Sequence, residues 1–297
     1  MRKAVDLFVG VTSWNSATFL QRSIPAIFKN TCGLSLDVCV LDNASDDRSA
    51  SIAQELGARV IVRRCTQPDA LNVLAAEARS EHVLLMHSDV VLLSPQWYSV
   101  CAGKLVGDCA LVSPEDIGCG PLTRPFGRGM PESSFMLFRR DALMKLREWR
   151  WPRRLGVPFP ERSLDFNGEH VTHRLPMHLK SRGYSWQQMS VLISPTVSTP
   201  SYVPDWAPPV WDPELSNLRY GLGNFYSLDG VVTHYHNWYD RSLLDVSPDS
   251  RLTTGKRGQG FPLAYLADYT RNFLSDYDCG QLILPDPSPS LREPRCL

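Results

Sequence analysis

Val38-Cys39-Val40-Leu41-Asp42-Asn43-Ala44-Ser45-Asp46-Asp47 begins as an apolar run and breaks abruptly into acids and small polar residues. Val83-Leu84-Leu85-Met86-His87-Ser88-Asp89 repeats the pattern further along. Each run is long enough for one strand buried on both faces, as the strands of a parallel sheet are. Loops and helix amino termini converge at the carboxyl ends of such strands, so ligands bind there. Two polar strand ends in one half of a chain point to a nucleotide-type ligand and a cation.

Working outward, residues 5–12 form another strand-like run. Residues 17–30 carry Phe19, Leu20, Ile24, Ile27 and Phe28 at helical spacing, with Gly33 as the stop and Pro25 expected to kink the helix. Residues 36–41 are the second strand. Ser45 is the expected cap of a helix over 46–56 that ends at Gly57. A strand over 58–63, a helix over 68–79, a strand over 83–86 and a helix over 95–106 follow. Strand and helix alternating at this pace predict an α/β fold with a doubly wound, mainly parallel sheet.

The second half reads as a strand over 134–139, helices over 141–147 and 170–182, and a strand over 185–194. Residues 195–230 are dense in Pro, Gly and aromatics (Tyr202, Trp206, Trp211, Tyr220, Phe225, Tyr226), the composition of a structured loop that serves a site. From Pro285 the chain is proline-rich and reads as a surface arm.

With 297 residues and 43% hydrophobic content, the chain can bury a substantial core. Lys plus Arg (31) balance Asp plus Glu (31), so no net field favours nucleic acid or an anionic membrane surface. No run approaches the roughly 18 apolar residues of a membrane span, and the opening segment lacks the core and cleavage site of a signal peptide. The cysteines at 32, 39, 65, 101, 109, 119, 279 and 296 show no C-x-x-C pair or zinc spacing. Several lie in apolar runs, where a reduced thiol packs as a small hydrophobe, and a cytoplasmic location follows as the expectation.

The gapless stretch Asn72-Val73-Leu74-Ala75-Ala76-Glu77-Ala78-Arg79-Ser80-Glu81-His82-Val83-Leu84-Leu85-Met86-His87-Ser88-Asp89 resembles the N-x-G...A...G-E-Y-I-L-F-L-D-x-D segment of family-2-type glycosyltransferases with the GT-A fold. Val9-Gly10-Val11-Thr12-Ser13-Trp14-Asn15 is similar to that family's first strand, and Leu41-Asp42-Asn43-Ala44-Ser45-Asp46-Asp47 to its V-D-D/N-G/A-S-x-D turn. Gly127 to Leu143, containing Phe135-Met136-Leu137-Phe138-Arg139-Arg140-Asp141-Ala142-Leu143, resembles the acceptor-side strand G-x-x-M-L-x-R-R-x-A-L. The resemblance implies a single Rossmann-like GT-A catalytic domain over 1–280, divided into a nucleotide-sugar half (1–113), an acceptor half (114–245) with 195–230 as loop or lid, and a helical part (246–280), followed by a tail over 281–297.

It also implies the chemistry: a sugar, of the hexosyl type, moves from a nucleoside-diphosphate sugar, UDP favoured, to a hydroxyl of a saccharide or other acceptor. Asp42 is the expected acceptor of the base imide hydrogen, with Thr12, Trp14, Asn15, Asn43, Asn72, His87 and Ser88 completing the donor site. The diphosphate is matched by a hard divalent cation, and Asp89 is its expected ligand. Asp42, Asn43, Ser45 and Asp46 are equally the residues that make a turn and cap a helix. His87 stands where the family usually has a first acid. It is either a second ligand, a ribose contact, or a partly buried ring held by backbone. One carboxylate fewer favours Mn²⁺ over Mg²⁺.

Val231-Val232-Thr233-His234-Tyr235-His236 resembles the late V-x-H element that completes the metal shell, with His234 preferred and His236 the alternative. Two histidines alternating in a strand are also ordinary packing residues. For an inverting transfer the expected base is Glu169, then Asp165, beside a helix ending in Arg182-Gly183-Tyr184; helix capping explains both acids as well. Arg124 and Arg128 are candidate phosphate contacts or plain surface charge.

Rival classes lack their loops. A pyrophosphorylase or a dinucleotide oxidoreductase needs a glycine-rich turn after the first strand, and Gly10-Val11-Thr12-Ser13-Trp14-Asn15 is not one. A non-catalytic sugar- or nucleotide-binding protein derived from a transferase is the alternative from another class.

Overall fold

The computed structural model describes residues 5–115, 130–146, 171–172, 175–192, 194–195, 218–221, 224–237, 251–252 and 261–288. The alternating half runs β1 (Leu7–Ser13), α1 (Ala17–Asn30), β2 (Leu36–Asp42), α2 (Ser49–Glu55), β3 (Arg59–Val62), α3 (Gln67–Glu77) and β4 (His82–His87). Then come β5 (Val90–Leu92), α4 (Trp97–Ala102), β6 (Cys109–Pro114), β7 (Phe135–Arg139), α5 (Arg140–Lys145), α6 (Leu175–Ser181) and β8 (Ser185–Leu192). The chain continues through β9 (Phe225–Leu228), β10 (Val231–His236), β11 (Arg251–Leu252), β12 (Phe261–Pro262) and α7 (Leu263–Asp278).

One sheet of ten strands has the order β3-β2-β1-β4-β7-β6-β8-β9-β10-β5. It is mixed, which corrects the mainly parallel expectation. β3, β2, β1 and β4 are parallel neighbours, as are β6 and β8. β7 runs antiparallel between β4 and β6, and β8, β9, β10 and β5 are joined antiparallel. Helical crossovers make β1 to β4 parallel neighbours, whereas β7 and the strands beyond β8 enter antiparallel, and an apolar run carries no record of its own direction. The antiparallel entry of β7 brings residues 132–134 to the carboxyl end of β4, where His87 N–H donates to the Ser134 carbonyl at 2.9 Å.

Alternation sorts the strands into two cores. Leu7, Val9, Val11, Val38, Val40, Leu84 and Met86 pack with Phe19, Leu20, Ile24 and Ile27 of α1 on one face. Phe8, Cys39, Leu41, Val83 and Leu85 pack with Ala70, Leu71 and Leu74 of α3 on the other. The buried thiols behave as hydrophobes, since burial pushes Cys39 up to about 11 and Cys101 up to about 12. Among the described residues, no helix is long and apolar enough to cross a membrane.

Several local expectations change. α1 continues through Pro25 to Asn30. The second helix starts at Ser49 rather than 46: Arg48 is its cap position, and the Asp47 carboxylate one residue earlier closes a turn by accepting the Ser49 N–H at 2.9 Å. Helices expected over 95–106 and 170–182 shorten to Trp97–Ala102 and, within the described residues, Leu175–Ser181. The end of the expected 195–230 loop is core instead, with Phe225 and Tyr226 buried in β9 and Tyr220 buried beside it. Most of that segment, including Tyr202, Trp206 and Trp211, lies outside the described residues, as do Arg124, Arg128 and the end of the tail.

Gly10 shows how tightly α3 lies on β1. A Cβ there would stand 3.0 Å from the Leu74 Cβ, from Leu85 Cδ2 and from the Phe8 ring. Gly10→Ala is expected to destabilise the fold by about 1–3 kcal/mol through overpacking. A urea melt of the two proteins checks this, and equal midpoints would mean that α3 moves away at no cost.

Candidate functional site

Three segments meet at the carboxyl edge of β1, β2 and β4. Asn15, held at φ 46°, is stitched to the loop after β2. Its N–H donates to Ser45 Oγ at 2.9 Å, and its side-chain oxygen accepts the Asp46 N–H at 2.9 Å. Asp47 joins the two helix starts, accepting from Ala17 N–H at 3.0 Å as well as from Ser49. Asn43 ties the same loop to the one after β3, its side-chain oxygen accepting the Cys65 N–H at 2.7 Å. The Thr12 carbonyl accepts the Ser88 N–H at 3.0 Å, fixing β1 to the turn after β4.

Asp42 is buried at this junction and works within its own turn. One oxygen accepts the Ser45 N–H at 2.8 Å and the other accepts the Ser45 hydroxyl at 2.6 Å. A carboxylate has about four lone-pair sites, so these bonds do not exhaust its capacity. Trp14, 53% exposed, stands at the mouth of the edge. Asn72 is half-buried in the second turn of α3, and from the first turn of that helix Gln67 reaches His87. Nothing in the spacing singles out Gln67, because its partner lies in the next strand.

His87, Asp89 and His236 form the one group among the described residues whose ligand atoms could share a cation, all within 4.8 Å of one another. Asp89 is 8% exposed. Its Oδ1 lies 3.7 Å from His236 Nε2. Ligand atoms that share a divalent ion at bond lengths near 2.0–2.2 Å stand roughly 3–4 Å apart, so this pair fits one. The donor set of two imidazoles and one carboxylate is also chemically apt for a borderline divalent ion.

The rings of His87 and His236 meet edge to face at 5.7 Å. His87 Nε2 is 2.7 Å from the Gln67 side-chain amide, which holds the ring at the edge of the group.

His236, not His234, faces Asp89. This corrects the order of preference. His234 is fully buried, its ring stacked between Phe135 (4.2 Å, 12°) and Tyr226 (4.6 Å, 15°). Burial, with a smaller push from His236, lowers its pKa to about 3, so it is a neutral aromatic slab. Its Nδ1 is 3.0 Å from the Thr233 hydroxyl, which itself donates to the Tyr226 carbonyl at 3.0 Å. The two histidines alternate along β10, yet only the second reaches the edge where β4 ends. His236 pairs with Val90 in the β5 ladder, and Asn237 N–H donates to the Asp89 carbonyl at 3.1 Å.

Glu132 lies behind His236 and escaped the sequence reading. It is buried just before β7, and its Oε1 is 2.8 Å from His236 Nδ1. Burial alone would push this carboxyl up. The His236 charge and hydrogen bonds from His236, Ser134 and Tyr226 outweigh it and hold it down at about 2. Glu169 and Asp165 lie outside the described residues.

Comparison with known proteins agrees with the strand ends. The model of the glycosyl transferase family 2 matches residues 8–150, which span β1 to β7 and hold Asp42, His87, Asp89 and Glu132. The matched segment, residues 8–150, is similar to glycosyl transferase family 2. No curated protein sequence matches the chain. Among solved structures, a mannosyltransferase from Pyrobaculum calidifontis, in complex with GDP-Man and Mn²⁺, is 16% identical with TM-score 0.47, the match covering 63% of this chain and 55% of that one. Glucosyl-3-phosphoglycerate synthase from Mycobacterium tuberculosis is 20% identical with TM-score 0.40, covering 48% and 59%. S. aureus TarS 1-349 is 15% identical with TM-score 0.39, covering 51% and 52%. The chain thus spans a little over half the length of these structures. In the matched segment, the acid of the β4 turn is Asp89 and the residue two before it is His87.

Proposed function

We propose that the chain is a hexosyltransferase that moves a sugar from a nucleoside-diphosphate sugar, UDP favoured, to a hydroxyl of a saccharide or other acceptor. The observation that carries this reading is the convergence of Asp89, His236 and His87 at the strand edge of a family-2-like domain. A divalent cation held by Asp89 and His236 would neutralise the donor diphosphate and stabilise it as it leaves. With two imidazoles in the set, Mn²⁺ is preferred to Mg²⁺, which favours oxygen ligands.

The remaining roles fall to the chain's own groups. Asp42 offers its remaining acceptor capacity to the base imide, while Thr12, Asn15, Asn43, Asn72, Ser88 and the exposed Trp14 complete the donor pocket. The acceptor oxygen bonds to the anomeric carbon as the bond to the diphosphate oxygen breaks. Glu169, or else Asp165, takes the acceptor proton, so the configuration inverts. The two parts of the site belong to one domain over 1–280, working in the cytoplasm without nucleic acid.

Calorimetric titration with UDP and with GDP, each with and without Mn²⁺, tests the reading. Binding of UDP that tightens at least tenfold with Mn²⁺ is expected. No binding of either nucleotide under any condition overturns it. Metal-dependent release of UDP from a donor sugar then separates an enzyme from a protein that only binds.

A further inference from the structure

We propose that Glu132 is the positioning residue of the cation site, fixing His236 so that its Nε2 lone pair points at the atom shared with Asp89. This rests on the cation reading above and adds a residue to it. Glu132 reaches His236 from the side opposite Asp89: Oε1 lies 2.8 Å from Nδ1, and Nε2 lies 3.7 Å from Asp89 Oδ1. A carboxylate oxygen 2.8 Å from Nδ1 is placed to accept that nitrogen's proton, so the contact favours the ring with its proton on Nδ1. A cation that displaces the proton of Nε2, the nitrogen that faces Asp89, takes that lone pair while the Nδ1 proton stays with Glu132. A ligating histidine whose other nitrogen donates to a carboxylate is the arrangement that holds ring and tautomer for a metal.

Glu132 is itself held firmly enough to set that direction. The Ser134 hydroxyl donates to Oε1, and the Tyr226 hydroxyl donates to Oε2 at 2.9 Å. Its backbone is anchored too: Glu132 N–H donates to the Pro114 carbonyl at 2.8 Å, and the Ser113 hydroxyl donates to the Glu132 carbonyl at 3.0 Å. Two hydroxyl donors, from the residue before β7 and from β9, and the His236 ring of β10 meet on one buried acid. A charge is seldom buried for stability alone, since a well-packed apolar group of similar volume serves as well or better. A carboxylate kept here is explained by what it does to the ring it touches.

The test measures Mn²⁺ affinity in the presence of UDP by electron paramagnetic resonance of the free ion, on wild type and Glu132→Gln, with folding followed by circular dichroism. The glutamine keeps the shape but not the acceptor-only character. A folded Glu132→Gln protein that binds Mn²⁺ about 10–100 times more weakly is expected. A folded variant with wild-type Mn²⁺ affinity overturns the positioning role, while His236→Ala failing to bind Mn²⁺ keeps the cation reading. Absence of Mn²⁺ binding by wild type overturns both. If Glu132→Gln does not fold, nitrogen-15 histidine spectra of the wild type decide, with His236→Gln identifying the signal. With UDP and diamagnetic Zn²⁺ bound, an Nδ1–H ring at His236 supports the role, and an Nε2–H ring overturns it.

Discussion

Asp89→Ala is expected to lower release of nucleoside diphosphate from the donor sugar by about a thousandfold or more, roughly 4 kcal/mol of transition-state stabilisation. Asp89 is the only carboxylate in the His87, Asp89 and His236 group, so its removal leaves two imidazoles and no anionic ligand facing the diphosphate. Such a pair holds a divalent ion poorly, because charge matching is lost along with a ligand. The fold should survive: the backbone carbonyl of Asp89, which accepts from Asn237, is unaltered, and deleting a nearly buried carboxylate removes a desolvated charge. Turnover with saturating Mn²⁺, read beside the melting temperature, checks the claim. Wild-type turnover in a folded variant would remove the cation role from Asp89 altogether.

His234→Ala is expected to do the reverse, costing about 2–4 kcal/mol of stability while leaving Mn²⁺ affinity within a factor of about two. The ring fills the space between Phe135 and Tyr226 and is fully buried, so the alanine opens a slot flanked by two aromatic faces. His234→Phe restores the stacked slab and should recover most of that loss, because the neutral imidazole makes few polar contacts. Chemical denaturation together with Mn²⁺ titration measures both quantities. A stable His234→Ala protein that no longer binds Mn²⁺ would return His234 to the metal site and displace His236.

The pair of histidines marks the boundary of what the chain's local pattern could say. Alternation along Val231–His236 put both on offer, and the family pattern of V-x-H leaned toward the first. The choice turns on where β10 sits against β5 and β4, a matter of a few ångströms between strands more than a hundred residues apart. Glu132 poses the same difficulty. Ser134 is two residues away, but Tyr226 and His236 come from β9 and β10, and no spacing within the chain announces that they meet Glu132. Gln67, by contrast, lies twenty residues from His87, yet its role depends on α3 folding back over the β4 end.

The alternation of strand and helix, the polar breaks at Asp42 and Asp89, and the motifs of family 2 were determined by the sequence itself. They rest on local chemistry: apolar period, turn formers, and acids at strand ends, which any reader of the chain meets in order. Only the tertiary structure decided that the sheet turns antiparallel after β4, that Asp42 is engaged in its own turn, and that His236 rather than His234 shares an edge with Asp89. Strand direction and ring orientation are set by the pairing of distant segments, and that pairing is a free-energy minimum of the whole chain, which no single stretch encodes.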